Sequence, residues 1–241
     1  MRKKFVITLW VILFLCISAV SLAFYAIWHG WIGYMPNLYQ LENPVNKYAS
    51  QAVSADGKLL GTWSYSRANR IFVGFDDLSP WLVKALVATE DERFYDHSGI
   101  DYRALARAVV KRGLLGQSNA GGGSTITQQL AKNLFLSGNR SYFRKGQEII
   151  ITYMLEFWME KERIFELYLN LVEFGTGVFG AEAAARHYYG TSASSLSAGQ
   201  AARLAAMLPK PRYFDKHRNS GYLMHRTALI LRRMGSADVP R

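Results

Sequence analysis

Three clusters of polar residues in this chain of 241 residues have the types and spacing of a working site. In the first, Glu90, Asp91 and Glu92 stand in a row ahead of Phe94, His97 and Gly99. Adjacent carboxylates make either a solvated acidic patch or, where one turns into a cleft, a general base whose proton affinity is raised by partial desolvation. His97 by itself fits a hydrogen-bonded structural role. The second cluster is Gly121-Gly122-Gly123-Ser124-Thr125-Ile126-Thr127-Gln128-Gln129-Leu130-Ala131-Lys132. A glycine run leading into a helix start presents free backbone N–H groups suited to an anion. Helical spacing then puts Thr125, Gln128, Gln129 and Lys132 on one face, with donors for sugar hydroxyls and phosphate oxygens. The alternative is an ordinary capped helix with a solvated face, and the Gly-Lys-Ser/Thr ending of a nucleotide-binding loop is missing. In the third cluster, Arg144, Lys145 and Glu148 share one helix face. They form either an exposed ion-pair group worth about 0.2–0.5 kcal/mol per pair or a two-cation clamp for a diphosphate. In the clamp reading, Glu148 is a second carboxylate able to hold a divalent ion against the phosphates. Glu156, Glu160, Glu162 and Glu166 read as helix-surface residues.

The elements that must position these clusters follow from local signals. Ser79 and Pro80 mark a helix start leading to Glu90. Over 101–112, Tyr102, Leu105, Ala106, Val109 and Val110 recur at helical spacing opposite a stripe of Arg103, Arg107 and Lys111, so this is an amphipathic helix with a cationic side. A flexible glycine-rich stretch, 113–123, precedes a helix capped by Thr125 and Gln128. A long helical region is expected over 142–171, and a last clear helix from Ser197, capped with Gln200 and ending before Pro209. Two short strands, at 51–54 and 59–64, flank Asp56-Gly57, a hairpin turn signal.

Residues 5–28 carry no charge and follow Arg2, Lys3 and Lys4. At 1.5 Å per residue they span about 36 Å, enough to cross a bilayer core. A cleaved signal peptide is the competing reading, but its apolar region is shorter. The leading cations keep residues 1–4 in the cytoplasm, with 29–50 as a membrane-proximal linker and 51–241 as one mainly α-helical domain outside it. Half of the chain is hydrophobic and its net charge is +11, which excludes a disordered chain and favours anionic partners such as lipid head groups or a phosphorylated lipid-borne substrate. Nucleic acid is not expected, because no recognition signature is present. A single cysteine, Cys16, excludes an internal disulfide framework.

Read together, the clusters resemble the bacterial peptidoglycan glycosyltransferases over residues 75–232. The family motifs appear in order: Glu90-Asp91-x-x-Phe94-x-x-His97-x-Gly99, Gly123-Ser124-Thr125-Ile126-Thr127-Gln128-Gln129, Arg144-Lys145-x-x-Glu148, Lys161-x-Arg163-Ile164-x-Glu166-x-Tyr168-Leu169-Asn170, and Arg226-x-x-x-Ile230-Leu231. Phe165 and Ile230 replace an expected Leu and Val. The resemblance implies a lysozyme-like, two-lobed fold that polymerises lipid II into β-1,4-linked glycan during cell-wall biogenesis, releasing undecaprenyl diphosphate. It implies Glu90 as the base and Glu148 as a second catalytic carboxylate and possible metal ligand for Mg²⁺ or Mn²⁺, with no organic cofactor. Substrate and diphosphate contacts fall to Asp91, Phe94, His97, Ser124, Thr125, Thr127, Gln128, Gln129, Lys132, Arg144 and Lys145. Neither Ser-x-x-Lys nor Lys-Thr-Gly occurs, so a monofunctional enzyme is expected, anchored in the inner membrane. Its expected partners are lipid II, the growing strand, membrane lipids and cell-wall assembly proteins. A lysozyme-like hydrolase or lytic enzyme is a rival, but it leaves the Arg144-Lys145 pair unexplained. A non-catalytic envelope scaffold is another rival, and a nucleotide-sugar transferase lacks its Asp-x-Asp motif here.

Overall fold

A computed structural model describes residues 2–42, 44, 50–55, 59–63, 70–114, 116, 123–136, 141–237 and 239. The first helix, α1 (Arg2–Trp28), holds a 26-residue candidate membrane span, Lys3–Trp28, whose most apolar 18-residue window has a mean hydropathy of 2.7 and no buried residue, and so meets the length and composition of a membrane span. Its last turn differs, because Ile27 is only 3% exposed. The chain then runs through Gly33 and a one-turn helix α2 (Leu38–Glu42), whose start is tied by Asn37 Oδ1 accepting the Gln40 N–H at 2.9 Å. Leu41 is fully buried in the core. The segment expected to be a linker is thus docked over 27–42.

Two antiparallel strands follow, β1 (Ser50–Val53) and β2 (Leu59–Trp63), with a register shift at Ala52/Val53. The turn residues Asp56 and Gly57 lie outside the described residues. The chain enters the helical body through Val73, whose N–H and C=O both bond the Asn170 side-chain amide, at 2.9 and 2.8 Å. That amide serves as a one-residue strand partner.

Helix α3 (Pro80–Glu90) starts with Pro at its first position, as expected, but the Ser79 hydroxyl does not cap it. It donates instead to Leu196 O at 2.7 Å, fastening the helix start to a residue 117 positions later. Leu82, Val83, Ala85, Leu86 and Val87 are buried, and α3 packs on α9 (Ala198–Met207) and α11 (Gly221–Arg233). Helix α4 (Tyr102–Val109) is capped by Asp101, which accepts from Ala104 N–H, and loosens into a π-turn over Val110–Leu114. Of the glycine-rich stretch, 115 and 117–122 lie outside the described residues.

Helix α5 (Ile126–Phe135) opens with the expected reciprocal Thr125–Gln128 cap. It packs on α6 (Tyr142–Trp158) and α7 (Lys161–Leu171). The single helical region expected over 142–171 is therefore two helices. No Pro or Gly marks the break at Met159, whose backbone is extended. The break lets Lys161 Nζ reach His97 O at 2.6 Å and Glu156, tertiary bonds that outweigh local propensity. A small hairpin, β3 (Glu173–Gly175) with β4 (Val178–Phe179), leads to α8 (Ala181–Tyr189). Ser197 and Gln200 cap α9 as expected, but α9 is not the last helix: α10 (Pro211–Lys216) and α11 follow, the latter capped by Ser220. The fold is mainly α-helical with small antiparallel hairpins and one N-terminal apolar helix.

Candidate active site

Helix α3 ends at Glu90, and the next residue turns the chain so that the two carboxylates part. Asp91 points into the protein. Its Oδ1 lies 2.9 Å from His97 Nε2, and its Oδ2 accepts the Ile126 N–H at 3.0 Å. That N–H is one of the orphan donors at the start of α5, so Asp91 both satisfies it and complements the positive end of the helix. His97 Nδ1 accepts from Gly99 N–H, which leaves Nε2 as the donor to Asp91. The pair holds α3, the 91–99 turn and α5 together, which is the structural role open to His97 in the sequence.

Glu90 faces the other way, into a cavity of about 420 Å³ that Asp101, Arg107, Lys111, Ser124 and Arg233 also line. Gln129 Nε2 donates to Glu90 Oε2 at 2.9 Å, while Gln129 Oε1 accepts from the buried Tyr168 hydroxyl at 3.2 Å, so the amide is held in one orientation. Burial pushes the Glu90 carboxyl above its ordinary value, and nearby Asp91 adds to this. The Gln129 hydrogen bond and the charges of Arg226 and Lys132 act in the opposite sense but do not outweigh burial. A carboxylate with raised proton affinity beside solvent-accessible space is the state a general base requires.

On α6, Glu148 is buried and faces two cations: Lys145 pairs with its Oε1, and Arg144 Nη1 lies 3.8 Å from Oε2. Arg144 Nε is buried with no hydrogen-bond partner among the described residues, as is Arg226 Nε. Lys145 and Gln128 line a second cavity of about 680 Å³, walled by Leu105, Ile149 and the hydrogen-bonded pair Tyr102 and Tyr153. The two cavities share Ala108, Gly123 and Ser124, so the Glu90 and Lys145 regions meet between α4 and the residues just before α5. A further cavity of about 510 Å³ lies at the start of α3, against Trp81 and Lys84, and none of the sequence-identified residues lines it.

Several expected substrate contacts have their polar groups engaged within the protein or are buried in its core. Phe94 is fully buried against Phe165, with Lys161 Nζ 4.5 Å above its ring, so it packs the core and touches no open space. The Thr125 hydroxyl accepts from Gln128 N–H and donates to Gly99 O, and Gln128 Oε1 returns a bond to Thr125 N–H. Thr127 is buried and bonds Glu156, which is itself paired with Lys161 rather than lying on the helix surface. Glu166, too, turns inward to accept the Phe75 N–H at 2.9 Å. Ser124 is exposed, and Gln129 and Lys132 flank Glu90. Glu148 is a poor metal ligand as it stands, since both of its oxygens already face cations, and no group of three or more His, Cys, Asp or Glu side chains gathers among the described residues.

Arg107, Lys111 and Arg233 were not among the expected site residues, although Arg107 and Lys111 belong to the cationic stripe visible in the sequence. Arg226 stood in a recognised motif without an assigned role; its charge acts on Glu90.

Residues 56–235 match the model of a family described as Transglycosylase. The chain is 65% identical over 169 residues to a biosynthetic peptidoglycan transglycosylase of Herminiimonas arsenicoxydans, covering 70% of this chain and 73% of that one. It is 59% identical over 172 residues to the protein of the same description from Bordetella pertussis, covering 70% and 71%. A third, from Paraburkholderia phytofirmans, is 50% identical over 204 residues, covering 82% of each. Among solved structures, the chain is similar to penicillin-binding protein 1A of Haemophilus influenzae at 22% identity and a TM-score of 0.37, covering 77% of this chain and 18% of that one.

Proposed function

The chain belongs to the Transglycosylase family and is a peptidoglycan glycosyltransferase that polymerises glycan, and on that premise we propose how its residues divide the work. The incoming lipid II presents its sugar 4-hydroxyl to Glu90, and the donor strand's reducing-end sugar lies across Gly123 and Ser124 with its diphosphate toward Arg144 and Lys145. As the hydroxyl oxygen bonds to the anomeric carbon, its proton passes to the Glu90 carboxylate. The bond from that carbon to the diphosphate oxygen breaks, with inversion to a β-1,4 linkage, and undecaprenyl diphosphate departs. An alcohol is a weak nucleophile without a base in reach, and such a base contributes about 10²–10⁴-fold.

The observation that carries this assignment is the desolvated Glu90 at the edge of a cavity whose other walls supply Arg107, Lys111 and Arg233. Gln129 holds the carboxylate in place, and Asp91 acts behind it as a positioning residue. Charge developing on the leaving group is met by preorganised cations. Arg144 supports this role because its buried Nε lacks a hydrogen-bond partner among the described residues. Glu148 holds the two cations in position. With its oxygens engaged, leaving-group stabilisation is assigned to Lys132, Arg144 and Lys145, and no step runs through a metal. The apolar α1 serves as an inner-membrane anchor, with the catalytic body on the extracytoplasmic side.

Labelled lipid II incubated with the purified full-length protein should yield long polymer resolved by size, and Glu90→Gln should lower the rate by about 10³-fold. Near-normal polymerisation by Glu90→Gln would remove Glu90 as the base.

A further inference from the structure

The end of the membrane anchor is locked to the helix that carries the cationic pair, and two glycines make the contact possible. Gly146 of α6 lies against Ile27, and a Cβ there would stand 2.9 Å from Ile27 Cδ1. Gly33, with φ of +82°, lies against Gln147, and a Cβ there would stand 2.5 Å from Gln147 Nε2. Each element thus gives up a side chain so that the other's can enter. Gln147 is buried and its Nε2 donates to Tyr34 O at 2.7 Å, a bond between residues 113 positions apart. The strap is braced in turn: the Tyr34 hydroxyl donates to Gln40 Oε1 at 2.8 Å, and Leu41 is buried in the core.

Gly146 and Gln147 lie between Lys145 and Glu148 on the same helix. An α-helix moves as a rigid unit over one turn, so whatever holds Gly146 and Gln147 against the strap also sets where Arg144, Lys145 and Glu148 stand relative to the end of α1. We propose that Gln147, seated against Gly33 and bonded to Tyr34, is a positioning residue that fixes the cationic pair at the height of a membrane-embedded substrate's diphosphate. The inference rests on the reading of Arg144 and Lys145 as diphosphate ligands. A lipid-linked diphosphate cannot adjust its depth freely, because lifting its tail costs about 0.8 kcal/mol per CH₂. A short-chain, water-soluble analogue has no such restriction. A latch that sets depth therefore matters to the first and not to the second.

The test uses full-length protein in bilayer vesicles with both substrates. Gln147→Leu, which removes the donor to Tyr34, should raise KM for the long-chain substrate about fivefold, the equivalent of losing one hydrogen bond. Its kcat should stay within about twofold, and both constants for the short-chain analogue should be unchanged. Gly33→Ala should act in the same direction and reads the same question should Gln147→Leu fold poorly. Gly30→Ala is the matched control, because Gly30 also has a positive φ, +70°, but nothing lies within 4 Å of its absent Cβ. An unchanged long-chain KM in Gln147→Leu and Gly33→Ala, or equal changes for both substrates, would overturn the latch. Arg144→Ala and Lys145→Ala test the premise separately, since they should weaken both substrates alike. Full activity in those variants would remove the diphosphate reading and with it the latch's purpose, whereas their loss beside an unaffected Gln147→Leu would overturn the latch alone.

Discussion

The Glu90 cavity has two unlike walls. On one side, α3 buries Leu82, Val83, Ala85, Leu86 and Val87 against α9 and α11, and it delivers Glu90 from a start fastened by Ser79. On the other, α4 supplies Arg107, and the π-turn after it Lys111, yet no residue of α4 is buried; Tyr102, Leu105 and Val109 are 65%, 43% and 60% exposed. A helix with its apolar face uncovered gains little stability from packing. Glu90, the proposed base, therefore stands on a rigid wall, while Arg107 and Lys111 stand on one held mainly by Asp101 and its ion pair with Arg93. In the proposed mechanism the proton transfer, which needs alignment, falls on the fixed wall, and the charge recognition given by Arg107 and Lys111, which tolerates displacement, on the loose one.

This contrast can be broken most directly through stability. Leu86→Ala should cost about 2–5 kcal/mol in urea unfolding, as fully buried leucines do, while Leu105→Ala should stay within about 0.5 kcal/mol. Equal costs would mean the two walls are equally supported. Next in size, Lys111→Ala should raise KM about fivefold with little change in kcat; a loss confined to kcat would place Lys111 in the chemistry of the fixed wall.

Two smaller effects sharpen the account of Glu90. Arg226 draws the Glu90 proton affinity down against burial, so Arg226→Ala should move the acidic limb of the pH–rate profile to higher pH, whereas a shift to lower pH would contradict the assignment. The last prediction concerns stability. Because the folded-state affinity of Glu90 is raised, the folded protein is penalised once the pH exceeds the unfolded value and fully so above the folded one. Glu90→Gln should therefore unfold at a slightly higher temperature than wild type at neutral pH. The two melting curves should converge as the pH falls below about 4.3, the ordinary glutamate value.

What the sequence made legible was local. The Thr125–Gln128 and Ser197–Gln200 caps, Pro80 at the head of α3 and the apolar span of α1 all depend on residues within a few positions, and the structure has each of them. The ordered motifs likewise marked the family without any knowledge of packing. The break between α6 and α7 was hidden because its cause, Lys161 reaching His97 O and Glu156, spans up to 64 positions. The same holds for Thr127 and Phe94, motif residues whose side chains face inward. Residues 29–50 read as a linker because Gln147, the partner of Tyr34, is far away in sequence.

The fastening of α3 also orders events in time. Ser79 bonds Leu196 and Ala193, Val73 bonds Asn170, and α9 and α11 cover the helix that ends in Glu90. The helix that ends in Glu90 is made early in synthesis, but the residues that fasten its start at Ser79 emerge more than a hundred positions later. The wall that carries Glu90 is therefore complete only once α9 and α11 have packed on α3.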